Sequence, residues 1–424
     1  MNDVAFNSAA ELDRADPLAG FRARFALPRD AHGEPKTYLC GNSLGLMPLA
    51  TRAAVSAELD AWAEHGVEGH FRGAHPWMPY HVLVREHLAE VAGAEPIEVV
   101  AMNGLTANLH LMMASFYRPT RERAAILIER GAFGSDRHAV ASQIRWHGFD
   151  PERELIELDA DQPDGSISEA ALAQAIGEHG ARLALVLWPG VQYFSGQRFD
   201  LGSITRAAHA VGAIAGFDLA HAIGNVPVDL HASGADFAVW CSYKYLNAGP
   251  GAVAGAFVHS RHAHSERPRL AGWWGHDQAT RFQMGPEFVP TPGADGWQLS
   301  NPPILALAPL KVSLALFHEA GLGNLRRKSA ALTGWLARAL HQRVAGAIKI
   351  ATPSEVERRG AQLSLKVRGP ASAGRALFEH LQHAGIVADW REPNVIRVAP
   401  APLYNRYADC EQLVRSIEQW MTSQ

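Results

Sequence analysis

Cysteine is scarce. Cys40, Cys241 and Cys410 are the three in 424 residues, far apart and with no C-x-x-C among them. That excludes a disulfide framework and fits a reducing, cytoplasmic setting. No apolar run approaches the roughly 20 residues that span a bilayer, so no membrane association is expected. The opening stretch, "MNDVAFNSAAELDRADPL", carries early acids and no apolar centre, unlike a secretory leader. An excess of one charge is also missing: 39 Lys and Arg face 43 Asp and Glu, a formal net charge of -4. Such a balance offers no basic face to nucleic acid or anionic lipid. H-E-x-x-H, G-x-S-x-G and G-x-x-x-x-G-K-[ST] do not occur. "GPGAVAG" is no dinucleotide fingerprint, because it leads into a strand rather than a helix. The 38 glycines and 25 prolines are scattered, without a low-complexity tract or fixed-period repeat.

What is present is a chain 47% hydrophobic and 19% charged, the profile of a well-packed protein of two or three domains. Between about 95 and 260, short apolar runs at 124–129, 183–188, 213–217, 237–241 and 252–259 alternate with amphipathic segments such as 135–147 and 167–179. Runs too short for helices and apolar on both faces predict an α/β fold, its mainly parallel sheet covered by helices. Sites in such sheets gather at the carboxyl ends of the strands. "PPILALAPLKVSLALFHEAGLG" reads as a long helix leading to a smaller α+β domain. That domain has strands near 346–351, 361–368 and 395–399, and helices near 371–385 and 408–422. The expected organisation is an N-terminal segment (1–60) beside the small domain, a large domain (61–302), and a linker helix with the small domain (303–424).

Lys244, in "WCSYKYLNAGPG", follows a buried strand end and precedes a turn-forming segment that lets backbone and ligand meet. Asp218, in "GFDLAHAIG", ends another apolar strand. A buried amine and a buried carboxylate cost several kcal/mol each unless something pairs them. Pyridoxal phosphate engages both, through its aldehyde and its pyridinium nitrogen. Its phosphate needs an anion site, and "NGLTANLHLMMASFY" places Leu105 and Thr106 at a helix N-terminus. Thr106 is equally well read as a plain cap. In "ERGAFGSDRHAV", Phe133 is suited to lie over a flat ring, while Ser135 or Asp136 is a site residue or another cap. His221 is expected to hydrogen-bond the aspartate or the cofactor rather than a metal. His259, His262 and His264 read as a solvated turn, and no metal site is expected.

With these residues in place, the chain resembles fold-type I pyridoxal-phosphate enzymes, and among them the kynureninase family. The shared segments are "YLCGNSLGLMP", "NGLTANLHLMMASFY", "AFGSD", "WPGVQYFSGQ", "GFDLAHAIGNVPVDLH", "WCSYKYLNAGPG", "GWWGH", "LSNPPI" and "IRVAPAPLYN". Gly134 departs from the family, which usually has proline in the Phe-x-Ser-Asp turn. The resemblance implies a Schiff base at Lys244, a ring-nitrogen partner in Asp218, His221 beside the ring and Phe133 over it. It places Leu105, Thr106, Asp136 and Tyr243 around the cofactor. Trp273 and Asn301 would complete the site from the second subunit of a homodimer. Arg397 would grip the α-carboxylate of the substrate, a role that suits a planar bidentate donor. A lone arginine in a strand-like segment is otherwise most often on the surface.

The implied reaction is hydrolysis of the Cβ–Cγ bond of L-kynurenine or 3-hydroxykynurenine to L-alanine and an anthranilate, in tryptophan degradation. Tyr243 is the expected acid–base group at the γ-carbonyl. His70, Ser300 and Asn301 align with the aromatic end of the substrate pocket and favour the 3-hydroxylated substrate. Two rivals are a cysteine desulfurase or class V aminotransferase, and a cofactor-binding protein without catalysis.

Overall fold

The computed structural model describes residues 8–423. Residues 1–7, part of the stretch read for a leader and of the 1–60 segment, lie outside it, as does residue 424. The apolar runs form a seven-stranded sheet. Its spatial order is Val99–Ala101, Gly255–Val258, Phe237–Trp240, Ile214–Asp218, Leu183–Pro189, Ala125–Glu129 and Leu155–Leu158. Ala125–Glu129 and Phe237–Trp240 are buried along their whole length, which requires cover on both faces and explains their unbroken hydrophobicity.

Neighbours run parallel from Phe237–Trp240 to Leu155–Leu158. Gly255–Val258 is antiparallel to both its neighbours. The chain between Trp240 and Gly255 holds no helix, and a parallel return needs a longer crossover, usually helical. The expected run at 252–259 is thereby shortened to 255–258. The sequence pattern does not mark Val99–Ala101 or Leu155–Leu158 as strands. The first has only three residues. The second, "LIEL", is a half-buried edge strand whose glutamate interrupts the apolar run.

A second, antiparallel sheet has the order Asp389–Arg391, Val395–Val398, Leu363–Val367, Ile348–Ile350. Leu332, Leu336, Leu365, Ile396 and Leu413 join it to helices Leu322–Arg343 and Tyr407–Thr422 in one core. The segment after 303 forms helix Ile304–Ala320 and then bends by 81° into Leu322–Arg343, a helix not anticipated. The break is at Gly321, whose φ of 76° is left-handed and ends the first helix. Among the described residues no single helix is long and apolar enough to cross a membrane.

The N-terminal part binds both halves. Thr37–Tyr38 pairs with Ile386–Val387, and the carboxylate of Asp13 accepts from the amides of Tyr407 (2.7 Å) and Ala408 (3.0 Å) at a helix start. Helix Ala50–His65 packs on Ile304–Ala320.

Candidate active site

The lysine turn is held by a distant stretch of chain at Gly45. The amide of Gly45 donates to the carbonyl of Tyr243 (2.8 Å). A Cβ at Gly45 would stand 2.3 Å from the carbonyl oxygen of Lys244 and 2.2 Å from Oδ1 of Asn247, so only glycine allows this approach. Asn247 (φ 52°), Gly249 (φ 90°) and Gly251 (φ 71°) then reverse the chain in left-handed conformations. Lys244 is half-buried. Its Nζ lies 3.0 Å from Nε2 of His221 and 5.8 Å from the ring centres of Phe133 and Tyr243.

Asp218 ends strand Ile214–Asp218 and is level with Pro189 and Val239 on the neighbouring strands. Its Oδ1 accepts from the amide of Ala220 (2.6 Å). Glu129 ends a strand nearby, and Asp136 comes from helix Gly134–Trp146. Burial, with the charge of Asp218 adding to it, pushes the Glu129 carboxyl up to about 8. Burial and then Asp218 hold Asp136 well above the carboxylate range. None of the three carboxyl groups forms an ion pair among the described residues. His221 is buried; that burial, and then the charge of Lys244, keep its pKa far below the usual histidine range, so the imidazole is neutral. Its Nδ1 is buried without a hydrogen-bond partner. Burial raises Tyr243 above an ordinary phenol, so its hydroxyl stays protonated at neutral pH.

Helix Leu105–Phe116 starts after Gly104, with no side-chain cap, so Thr106 is not the cap. The first-turn N–H groups have no acceptor within the helix. Helix Gly134–Trp146 likewise starts without a side-chain cap. Ser135 Oγ donates instead to Asp136 Oδ1 (3.3 Å). One cavity gathers Leu105, Thr106, Phe133, Asp136, Asp218, His221, Tyr243 and Lys244. Glu129 and Tyr193 also line it, and sequence reasoning missed both. Glu129 was accessible to it, since it is the last residue of an apolar strand, where ligands are met in such sheets.

The remaining expected residues do not line this cavity. Arg397 is fully buried rather than on the surface, with its fork engaged. Nε and Nη2 donate to Asp389 (2.9 and 2.7 Å), and Nη1 donates to the carbonyl of Tyr193 (2.6 Å). Through Tyr193 it adjoins the site, since the Tyr193 ring lies 6.4 Å from that of His221. Trp273 is 38% exposed, its Nε1 donating to the Arg281 carbonyl (3.2 Å). Asn301 and Ser300 are both exposed. The His70 ring meets Trp77 edge-on at 5.4 Å. The histidines at 259–264 are not a solvated turn: His262 is buried, with Nε2 2.8 Å from Asp236, and only His264 is exposed. Asp236 ties that segment down by also accepting from the Ala215 amide and Arg261.

Asp218, with two carboxyl groups beside it that burial keeps protonated and no ion pair of its own among the described residues, suits a positively charged hydrogen-bond donor such as a pyridinium nitrogen. A half-buried amine stands beside them, and a helix N-terminus with open N–H groups suits the phosphate. The donor set fits pyridoxal phosphate.

Comparisons with known proteins agree. The chain is 63% identical over 413 residues to kynureninase of Xanthomonas euvesicatoria pv. vesicatoria (strain 85-10), covering 97% of both chains. It is 62% identical over 412 residues to kynureninase of Xanthomonas campestris pv. campestris (strain B100), with the same coverage. Residues 325–417 match the kynureninase C-terminal domain. Among solved structures, the cystine C–S lyase C-DES superposes with a TM-score of 0.75 at 18% identity, over 90% of this chain and 97% of that one. The cysteine desulfurase CsdA from Escherichia coli does so with 0.75 at 17%, over 96% and 98%. Fold and site thus define a pyridoxal-phosphate-dependent enzyme with the class V aminotransferase-like architecture. Within that class the chain belongs to the kynureninase family, hydrolases that act on a carbon–carbon bond of a ketonic amino acid.

Proposed function

We propose that Lys244, Asp218, His221 and Tyr243 carry out the family's hydrolysis, splitting the Cβ–Cγ bond of a kynurenine into L-alanine and an anthranilate. The observation that carries this assignment is the convergence of Lys244, His221 and Asp218 on one cavity at the strand ends. When bound, pyridoxal phosphate condenses with amines through its aldehyde and withdraws electrons from the substrate carbon through its ring. Lys244 would hold the aldehyde, Asp218 the protonated ring nitrogen, and the Leu105–Thr106 turn the phosphate, with Phe133 covering the ring.

With the cofactor bound, the Lys244 amine would take the proton from the substrate Cα. Neutral His221, 3.0 Å from the Lys244 amine, receives and orients that group without adding a charge. Tyr243 keeps its hydroxyl proton and donates it to the γ-carbonyl oxygen as water attacks the carbonyl carbon. Arg397 would bind the α-carboxylate once its fork exchanges Asp389 and the Tyr193 carbonyl for the substrate, fixing which substrate bond faces the ring.

His70, Ser300 and Asn301 supply hydrogen-bonding groups for a 3-hydroxyl on the substrate ring, so 3-hydroxykynurenine is the favoured substrate. In this reading they arrive with Trp273 from the second copy of a homodimer. The exposed side chains Trp62, Val67, Phe71, Val82 and Leu83 support an apolar contact surface close to His70 in sequence. A cytoplasmic location suits three unpaired thiols. A desulfurase would need a reactive thiolate instead. All three cysteines are buried, and burial raises each thiol, Cys40 to about 11.

Comparing kcat/KM for kynurenine and 3-hydroxykynurenine tests the substrate assignment. A higher value for the hydroxylated substrate supports it, and a strong preference for plain kynurenine overturns it.

A further inference from the structure

The small domain holds a second cavity, of about 600 Å³, that shares no lining residue with the one around the lysine. Its cationic and imidazole side chains are Arg338, His341, Lys349, Arg359 and Arg368, and no Asp or Glu lines it among the described residues. Leu340, Ile350, Val356 and Leu363 give it apolar walls, and Thr352 and Ser354 add hydroxyls. On a chain with slightly more acids than bases, so one-sided a lining is unexpected.

Arg359 is the telling residue. It is 2% exposed and forms no ion pair among the described residues, and its Nη1 is buried without a hydrogen-bond partner. Arg326 stands near it, and its own Nη1 is also buried and unpartnered. Burial first, and then the charge of Arg326, push the pKa of Arg359 down to about 10. Arg326 is only half-buried and donates from Nη2 to the Val356 carbonyl, so the uncompensated buried charge falls chiefly on Arg359. Of the other buried cations, Lys328 pairs with Asp16 at 2.7 Å, Arg397 pairs with Asp389 at 2.7 Å, and Arg281 donates to the carbonyls of Trp274 and His276. The charge of Glu357 acts on both arginines but forms an ion pair with neither among the described residues, so what Arg359 lacks is an anion in direct contact.

We propose that this cavity binds a small organic anion, a carboxylate carried on an apolar body. The carboxylate would meet Arg359, and the apolar part would lie against Leu340, Ile350 and Leu363. Bare inorganic oxyanions would satisfy the charge but leave those walls without a partner. The site adjoins the functional half of the small domain. Leu363 pairs in register with Val398, and Ser364 with Arg397. Arg359 itself bridges to Gln197 of the large domain. The proposal is independent of the roles assigned to Lys244, Asp218 and Tyr243.

Isothermal titration of the holoenzyme with benzoate tests it, with inorganic phosphate as the second arm. Benzoate binding is expected to weaken at least tenfold in Arg359→Gln and several-fold in the double variant Lys349→Gln/Arg368→Gln, whose side chains are exposed and leave folding intact. Turnover without benzoate should be unchanged in the double variant, which separates this site from the active one. Equal benzoate affinity in wild type and the double variant would overturn the proposal, whether or not Arg359→Gln folds. Tighter Arg359-dependent binding of phosphate than of benzoate would overturn the organic-anion assignment.

Discussion

The Nζ of Lys244 lies 3.0 Å from Nε2 of His221, an imidazole that burial and the lysine's charge keep neutral. The two groups come from different strand ends, and neither sits beside the other in sequence. Replacing His221 by Phe removes the partner of the amine while keeping an apolar ring in place. The expected result is cofactor still bound, as read by absorbance near ~420 nm, with kcat lowered by about 10²–10⁴, the usual contribution of a proton-handling group. Unchanged kcat would remove His221 from the account.

Arg397 and Asp389 form a bidentate pair, and Asp389 also accepts from Ser43 (2.5 Å). Burial opposes ionisation of Asp389, but its hydrogen bonds to Arg397 and the arginine's charge outweigh that and lower its pKa. Arg397→Lys loses the planar fork, so KM is expected to rise at least tenfold, with a smaller change in kcat. Equal losses in kcat and kcat/KM with KM unchanged would show that Arg397 does not grip the ground-state substrate.

The buried Glu129 carboxyl, raised to about 8, makes the cofactor-free protein pH-sensitive. Its folded-state pKa lies above the unfolded value. The folded state therefore binds the extra proton between about 4.5 and 8, and stability falls as pH rises through that window. The loss is on the order of a few kcal/mol at most. Denaturant midpoints of the apoprotein at pH 5 and pH 8 should show it, and Glu129→Gln should flatten the difference. An apoprotein more stable at pH 8 than at pH 5, with Glu129→Gln behaving identically, would contradict it.

Much of this was legible in the sequence because the strands are short, apolar and buried on both faces. Lys244 and Asp218 each close such a run, and the strand-end rule found them. Glu129 closes one too and was passed over, because its motif carries no catalytic signature. The state of Arg397 was not legible. It depends on the antiparallel register that sets Asp389 opposite it, and short strands such as Asp389–Arg391 leave no periodicity to read. The break at Gly321 was hidden for a similar reason, since apolar spacing runs on across the glycine and only the backbone reverses.

Gly134 is the first residue of its helix, and a Cβ there would meet nothing nearer than His138 Nε2 at 3.8 Å. Phe133 before it has φ -57° and ψ 138°, the extended conformation that precedes proline. Gly134→Pro should therefore stabilise the protein by about 0.4–1 kcal/mol, through a stiffer unfolded chain. Thermal unfolding would register this as a higher Tm with activity retained. A lower Tm would mean that the turn needs the freedom glycine gives.

If Asn301 completes the site of a second chain, two dead variants should rescue each other. Lys244→Ala and Asn301→Ala chains, mixed after unfolding and refolded together, give hybrid dimers with one intact site each. About a quarter of the sites would then be whole when the chains mix at random. Activity of the mixture no greater than the mean of the separate variants would place Asn301 in its own chain's site, or outside any site.

The most direct test of the whole account is release of anthranilate and L-alanine from L-kynurenine by the pyridoxal-phosphate-loaded protein and by its Lys244→Ala variant. The account predicts equimolar products from the wild-type chain, and from the variant a loss of both turnover and the ~420 nm band that marks a lysine-held cofactor. Wild-type rates from Lys244→Ala would contradict it.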